Sequence, residues 1–167
     1  MRDYRTLVLL RHGKSAYPAG VIDHARPLAA RGTREAALAG DWLRATLPPV
    51  DAVLCSTAKR TRQTLARTAI DAPVRYVERL YGAMPGTVIA EINTVADDVA
   101  TLLLVGHEPT ISQVALGLAG PAGTDPAAAA DVATKFPTSA IAVLRVPCGW
   151  DRLELGMAAL TGFHVPR

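Results

Sequence analysis

Histidine and arginine residues follow several of the apolar runs in this sequence. Arg11 and His12 come directly after one run, Arg60 lies about one helical turn beyond a second, and His107 follows a third after one glycine. The planar guanidinium group of arginine can bind phosphate oxygens through paired hydrogen bonds, and a helix N-terminus adds backbone donors. Taken alone, His12 would be an ordinary turn residue and Arg60 an ordinary surface arginine. If these side chains meet, their types predict a site that binds phosphate.

The segments that must position these residues have the patterns of alternating strands and helices. Continuous apolar runs, typical of strands covered on both faces, occupy residues 6–10, 52–55, 74–77 and 102–105. Apolar residues at helical spacing occur around residues 38–43, 57–69, 88–95 and 111–118. The alternation predicts an α/β protein, a three-layer α/β/α sandwich with a mainly parallel central sheet. Since ligands of such sheets bind beyond the carboxyl ends of the strands, the two histidines and two arginines should converge on one crevice, where Gly13 and Gly106 permit tight turns.

The C-terminal third of the sequence is less regular. Residues 120–131 are rich in Gly, Pro and Ala without an apolar period, which predicts a surface loop. Residues 140–144 and 150–155 have the pattern of two closing strands. The first of these could form an exposed edge that dimerises, or the C-terminal tail could cover it.

Composition limits the class of protein. A chain of 167 residues, half of them apolar, fits a single domain over residues 1–167. Cys55 and Cys148 are too few for a disulfide scaffold and lie in no CxxC pair, so a reduced, cytoplasmic protein is expected. No apolar run approaches the roughly 20 residues of a membrane span, and no signal-peptide core is present. The net charge of +3 permits anionic ligands, whereas scattered arginines without clustered aromatics argue against nucleic acid.

Three motifs, in this order and spacing, resemble those of the histidine phosphatase superfamily, also called phosphoglycerate mutase-like. Leu10-Arg11-His12-Gly13 matches its Arg-His-Gly signature, and Ser56 to Thr64 is similar to its Ser-x-x-x-Arg-x-x-Gln-Thr block. Val105-Gly106-His107-Glu108-Pro109 matches the segment that carries the second histidine. The resemblance extends over nearly the whole chain and implies a phosphoglycerate mutase-like fold.

A further stretch, Asp23 to Gly32, resembles the Arg-Pro-Leu-Thr-x-x-Gly segment of the small SixA-type phosphohistidine phosphatases. The arginine of that segment joins the phosphate pocket, which implies the same for Arg26. Ala29 replaces the usual threonine and so removes a helix-capping hydroxyl, without touching a phosphate ligand. The short length also suits this branch, because larger members carry insertions that deepen the substrate pocket.

The resemblance implies a mechanism without metal or other cofactor. Neutral His12 would attack phosphorus and carry the phosphoryl group, arginines would hold its equatorial oxygens, and His107, if protonated, would add a donor. The residues expected to be catalytic are His12, Arg11, Arg60, His107 and Glu78. The residues expected to bind substrate are Arg26, Gly13 and Ser15.

The proton donor and the substrate are left open by the sequence. Glu78 follows the third strand, where a glutamate of the mutases protonates an alcohol leaving group; its other interpretation is an exposed carboxylate at a strand end. Phosphohistidine needs a donor less, because imidazole leaves easily near neutral pH. The favoured substrate is phosphohistidine in a protein, admitted by an open pocket at whose mouth Ser15 and Tyr17 lie. The alternatives are a phosphatase or mutase for small phosphate esters, such as sugar phosphates, and a non-catalytic phosphate-binding module; the oligomeric state stays undetermined.

Overall fold

The computed structural model describes residues 4–167, which form a six-stranded sheet with five α-helices. The strands are β1 (Arg5–Arg11), β2 (Ala52–Ser56), β3 (Val74–Val77), β4 (Thr101–Gly106), β5 (Ile141–Val146) and β6 (Ala159–His164). The helices are α1 (Ala30–Thr46), α2 (Lys59–Thr68), α3 (Pro85–Ile92), α4 (Thr110–Leu118) and α5 (Pro126–Thr134). Within residues 4–167, every helix is too short or too polar to traverse a bilayer.

The order of the strands across the sheet is β3-β2-β4-β1-β5-β6. β1 is parallel to β4, and β2 is parallel to both β4 and β3, whereas β5 runs antiparallel to β1 and β6. The expected mainly parallel sheet is therefore confirmed. Because β1, β4 and β2 are parallel neighbours, their carboxyl ends lie at the same edge of the sheet.

Both faces of the sheet are covered, as the continuous apolar runs predicted. In β1, Leu7 and Leu9 point to the face that packs against α3, α4 and α5, and Val8 and Leu10 point to the face that packs against α1 and α2. All four side chains are fully buried. Alternation of two buried faces along one strand requires a layer of helices on each side, so the three-layer α/β/α architecture is confirmed.

The prediction of a loop over residues 120–131 is wrong in its second half, where α5 begins at Pro126. The Asp125 carboxylate caps this helix by accepting a hydrogen bond from the Ala127 amide at 3.1 Å, and Pro126 occupies its first turn. Ala128 and Val132 are buried against the core. The apolar face of the helix consists mainly of alanine, so the sequence shows hardly any apolar period there.

The prediction of a strand over residues 150–155 is also wrong. Trp150–Arg152 form a 3-10 turn, in which the buried Trp150 ring donates from Nε1 to the Val99 carbonyl at 2.8 Å. The last strand is β6, which lies beside β5. The strand near residue 140 is therefore covered by the C-terminal part of the chain and is not an exposed edge. A smaller difference concerns Val95, which lies in a turn beyond the end of α3 rather than on its apolar face.

Candidate active site

A crevice opens at the carboxyl ends of the parallel strands. Arg11 at the end of β1 is in register with Gly106 at the end of β4, and Cys55 of β2 is in register with Val105 of β4. After β1 the chain continues through α1 on one face of the sheet, and after β4 it continues through α4 on the other face. Neighbouring strands whose connections leave on opposite faces create the crevice in which open α/β sheets bind ligands.

His12 lies at the floor of this crevice with its ring in a defined tautomer. Its Nδ1 atom is 2.7 Å from the carbonyl oxygen of Gly13, which can only accept, so Nδ1 carries the hydrogen and Nε2 the lone pair. The His12 amide donates to the Gly106 carbonyl at 3.1 Å, which fixes the residue between β1 and β4. The residue is 8% exposed, and this burial lowers the pKa of His12 to about 3. The ring is therefore neutral at neutral pH, as a nitrogen nucleophile must be.

His107 faces His12, with 5.4 Å between the ring centroids. Its Nε2 lies 2.8 Å from the hydroxyl oxygen of Ser56, and its buried Nδ1 has no partner within residues 4–167. Burial, followed by the positive charge of Arg60, lowers the pKa of His107 to about 4. The lowered pKa favours a neutral ring at neutral pH, whereas the sequence allowed for a protonated one. A neutral ring can still donate from Nδ1 when the Ser56 hydroxyl donates to Nε2.

Arg11 and Arg60 approach the crevice from β1 and α2. Arg11 donates from Nη1 to the Phe136 carbonyl at 2.8 Å, and its buried Nε has no partner within the described part of the chain. Arg60 donates from Nη1 to the backbone carbonyl of Asp23 at 2.8 Å and from Nη2 to the Asp23 carboxylate at 3.1 Å. A guanidinium group has five N–H donors, so both arginines keep donors for a ligand.

Arg26 and Ser15 are brought together by a short antiparallel pairing between Ser15 and Leu28. The Arg26 guanidinium donates to the Ser15 hydroxyl, to the Ala16 carbonyl at 3.1 Å and to the Asp23 carboxylate at 2.8 Å. Three of its five N–H groups are thereby engaged and two remain. Tyr17 packs on this guanidinium, with 3.7 Å between its ring centroid and Cζ of the arginine. The Asp23 carboxylate joins Arg26 to Arg60, so both arginines belong to one cluster.

α2 holds the loops of the site in place. The Thr64 hydroxyl accepts from the Gly13 amide at 2.9 Å, and the Gln63 side-chain oxygen accepts from the Leu28 amide at 2.8 Å. A Cβ atom at Gly13 would lie 2.9 Å from the Gly32 carbonyl oxygen of α1, closer than packing allows. Gly13 therefore permits close packing of the loop that follows β1, and its amide is engaged within the protein.

Glu78 lies at the rim of the crevice. Its side chain is 71% exposed and accepts from the Thr57 hydroxyl, which in turn accepts from His24 Nε2 at 2.9 Å. The His24 nitrogen is also 3.7 Å from the Glu78 carboxylate. Among residues 4–167, the polar side-chain contacts of Glu78 are thus with these two residues, and His12 is not one of them.

Sequence reasoning missed two members of the cluster, Asp23 and Tyr81. The Tyr81 hydroxyl donates to the Asp23 carboxylate at 2.6 Å, and the Tyr81 ring stands edge-on to His107 with 5.6 Å between centroids. The hydrogen bonds from Tyr81 and then from Arg26 hold the pKa of Asp23 far below its usual range. Asp23 lies within the stretch that resembles the SixA-type segment, but an acidic residue among expected phosphate ligands gives no signal of anion binding.

The two buried histidines predict an acid-sensitive stability. Both have lowered pKa values, about 3 for His12 and about 4 for His107, whereas an unfolded chain protonates histidine near pH 6.5. Below pH 6.5 the unfolded state therefore binds more protons than the folded state, and the free energy of unfolding falls as pH falls. We expect a loss of about 2 kcal/mol per histidine between pH 7.5 and pH 5. Urea unfolding of the wild type and of His107→Ala checks this, and equal slopes against pH would contradict it.

The positive charge of the crevice comes from side chains of arginine. Within residues 4–167, no group of three or more His, Cys, Asp and Glu side chains is placed to hold a metal ion. Three guanidinium groups and two neutral histidines around one crevice suit a ligand with several anionic oxygens and one electrophilic centre. Such an arrangement defines a class of α/β proteins that bind phosphoryl groups.

The sequence places the chain in a particular family of this class. Residues 7–102 match the sequence profile of the histidine phosphatase superfamily (branch 1), and the chain belongs to that superfamily. A curated relative, the Mycobacterium tuberculosis protein Rv1276c, is 68% identical over 158 residues, which cover 95% of this chain and 100% of the relative.

Solved structures of similar proteins agree with this assignment. A SixA-type protein from Nakamurella multipartitia is 41% identical, with a TM-score of 0.89 over 99% of this chain and 98% of that one. The protein histidine phosphatase SixA complexed with tungstate is 25% identical, with a TM-score of 0.77 over 96% of this chain and 97% of that one. The resemblance to the SixA-type branch is thereby confirmed.

Proposed function

We propose that this protein is a metal-independent phosphatase that removes the phosphoryl group from phosphohistidine in proteins, through a phosphohistidine intermediate on His12. The observation that carries the proposal is the tautomer of His12, whose Nδ1 is engaged by the Gly13 carbonyl so that Nε2 keeps its lone pair. A histidine that only bound phosphate would need a hydrogen on the nitrogen that faces it. A neutral, buried Nε2 among arginines is suited to attack instead.

In the first step, His12 Nε2 attacks phosphorus on the side opposite to the leaving nitrogen of the substrate. The bond between Nε2 and phosphorus forms as the bond to the leaving nitrogen breaks, and that nitrogen keeps the electron pair. Arg11, Arg26 and Arg60 donate to the equatorial oxygens, on which charge is held during transfer. His107 donates from Nδ1 without carrying a charge of its own.

In the second step, water attacks the phosphorus of the phosphorylated His12. The bond between phosphorus and Nε2 breaks, the electron pair returns to Nε2, and inorganic phosphate is released with the two hydrogens of the water. Throughout both steps Nδ1 keeps its hydrogen and donates it in a hydrogen bond to the Gly13 carbonyl, so the imidazole is cationic while phosphorylated and neutral afterwards. A cationic phosphorylated ring is a good leaving group, which favours hydrolysis.

Two features favour phosphohistidine over a phosphate ester. An alkoxide leaving group needs a strong proton donor, and Glu78 is engaged by Thr57 at the exposed rim. Tyr17, which packs on Arg26, and Glu78 are also largely exposed, whereas His12 is buried, so the approach to the site is open. An open mouth admits a side chain that projects from a protein, and the similar structures are described as phosphohistidine phosphatases.

The test compares two peptides of one sequence, one with phosphohistidine and one with phosphoserine at the same position. Phosphate release is measured with EDTA present, and with the His12→Ala variant as control. We expect chelator-resistant hydrolysis of the phosphohistidine peptide at a kcat/KM about tenfold or more above that of the phosphoserine peptide. Preference for phosphoserine would favour an ester phosphatase with Glu78 as acid. Phosphate binding without turnover of either peptide would favour a binding module.

A further inference from the structure

A carboxylate lies among the cations of the crevice. Asp23 accepts hydrogen bonds from Arg26 at 2.8 Å, from Arg60 at 3.1 Å and from the Tyr81 hydroxyl at 2.6 Å. A negative charge on the groups that should bind a phosphate dianion weakens their attraction for that dianion. The proposed mechanism gives Asp23 no part, so its position calls for a different explanation.

The position of Asp23 relative to His12 indicates which part of a substrate it meets. In-line attack places the leaving group on the far side of phosphorus from His12, which is toward the mouth, because His12 is buried at the floor. The Asp23 side chain is 51% exposed, and it is held by the same guanidinium groups that are expected to hold the phosphoryl oxygens. The half-exposed carboxylate is therefore in contact with the guanidinium groups that would hold the phosphoryl group, whereas His12 is buried.

The groups that face this carboxylate determine its charge. Arg26, Arg60 and Tyr81 contact it directly, His107 lies behind Tyr81, and His24 is its neighbour in the chain. The neutral His107 adds no charge, and Glu78 adds a second negative charge at the rim beyond His24. These three donors hold the pKa of Asp23 well below its usual range, so the carboxylate is ionised at neutral pH.

We propose that Asp23 determines specificity by favouring a leaving group that is a protonated nitrogen base, such as the imidazolium ring of phosphohistidine, over one that is an alcohol. The inference rests on the proposed function and identifies the charge of the leaving group as the property that the site recognises. An ionised carboxylate attracts a cationic ring and repels the negative charge that develops on an alkoxide.

The chemistry balances without a proton donor from the enzyme. Phosphohistidine enters with a hydrogen on the ring nitrogen that does not carry phosphorus, and the carboxylate at the mouth favours this protonated form. The bond between phosphorus and nitrogen breaks, its electron pair goes to the ring nitrogen, and a neutral imidazole leaves with its hydrogen in place. Asp23 accepts no proton and forms no bond with the substrate beyond this electrostatic contact. An alkoxide, by contrast, would have to take a proton from another group.

The test measures kcat/KM of the wild type and of Asp23→Asn for the phosphohistidine and phosphoserine peptides, from pH 5 to pH 9. Asparagine keeps the size and one acceptor oxygen and removes the charge. We expect the ratio of phosphohistidine to phosphoserine hydrolysis to fall at least about tenfold. We also expect the alkaline decline of kcat for the phosphohistidine peptide, measured over the same pH range, to move to lower pH in the variant, because kcat reports ionisations of the bound complex and the bound ring loses its proton more readily. Asp97→Asn is the matched control. Asp97 is exposed and pairs with Arg5 at 2.7 Å, at the end of β1 opposite to Arg11 and the crevice.

The affinities of the wild type and of Asp23→Asn for tungstate distinguish a role of Asp23 in specificity from a role in positioning the arginines. If Asp23 only positions Arg26 and Arg60, both peptides are hydrolysed more slowly in equal proportion and tungstate binds more weakly, which overturns the inference. An unchanged ratio and an unshifted pH profile overturn it as well. If the wild type turns over phosphoserine but not phosphohistidine, the proposed function itself is wrong and the inference falls with it. Thermal unfolding confirms that Asp23→Asn is folded before it is assayed.

Discussion

The His12→Ala variant is expected to lose phosphohistidine hydrolysis by a factor of roughly 10³ or more. The reason is that His12 supplies the only protein atom proposed to form a bond with phosphorus, and alanine leaves no nucleophile at the end of β1. The loss should appear in kcat rather than in the affinity for phosphate, because the guanidinium groups of Arg11 and Arg60 stay. Stopped reactions with a ³²P-labelled peptide should show a labelled enzyme in the wild type and none in the variant.

His164→Ala is the matched control for this experiment. His164 lies on β6, stacked on Trp42 at 4.5 Å between ring centroids, and takes no part in the crevice. Its replacement should leave both turnover and labelling unchanged. If His12→Ala still released phosphate at a rate near that of the wild type, the covalent route through His12 would be wrong, and direct attack by water would replace it.

Strands β1, β2 and β4 could be predicted from the sequence because each has a short apolar run that is followed closely by polar residues. The runs before Arg11, Ser56 and Gly106 placed three chain segments at one edge of the sheet, and the structure confirms this placement. α5 could not be predicted, since an alanine-rich helix has a weak apolar face. The final strand was misplaced because Leu153 and Leu155 alternate with charged neighbours as in a strand, although Leu153 is buried after a 3-10 turn and Leu155 is exposed.

The site was predictable in its residue types and less so in its charges. Histidine and arginine indicate phosphate chemistry by type, so His12, Arg60 and His107 could be selected from the sequence and are found around one crevice. The protonation state of His107 depends on burial and on the distance to Arg60, which the sequence does not contain. Asp23 was missed for a similar reason. Its place in the site is evident only from its contacts with two arginines and a tyrosine.

The second large effect is expected at Arg60, where replacement by alanine should lower kcat/KM for the phosphohistidine peptide by roughly 10² to 10³. Arg60 is the guanidinium that joins the phosphoryl site to Asp23, through hydrogen bonds to both its backbone carbonyl and its carboxylate. Alanine removes donors for the phosphoryl oxygens and also leaves the carboxylate with less positive charge beside it. The two effects add, because a phosphate dianion then meets fewer donors and more repulsion.

Two further variants, Arg60→Lys and Arg62→Ala, test whether the effect depends on the guanidinium group at position 60. Arg60→Lys keeps the charge but not the planar pair of donors, so it should restore tungstate binding in part while turnover stays low. Arg62→Ala removes an exposed arginine of the same helix and should leave kcat/KM within about twofold of the wild type. Full activity of Arg60→Lys would mean that charge alone is needed at this position. Equal losses in Arg60→Ala and Arg62→Ala would mean that α2 contributes a diffuse positive field, and the specific role of Arg60 in holding the phosphoryl group would then be wrong.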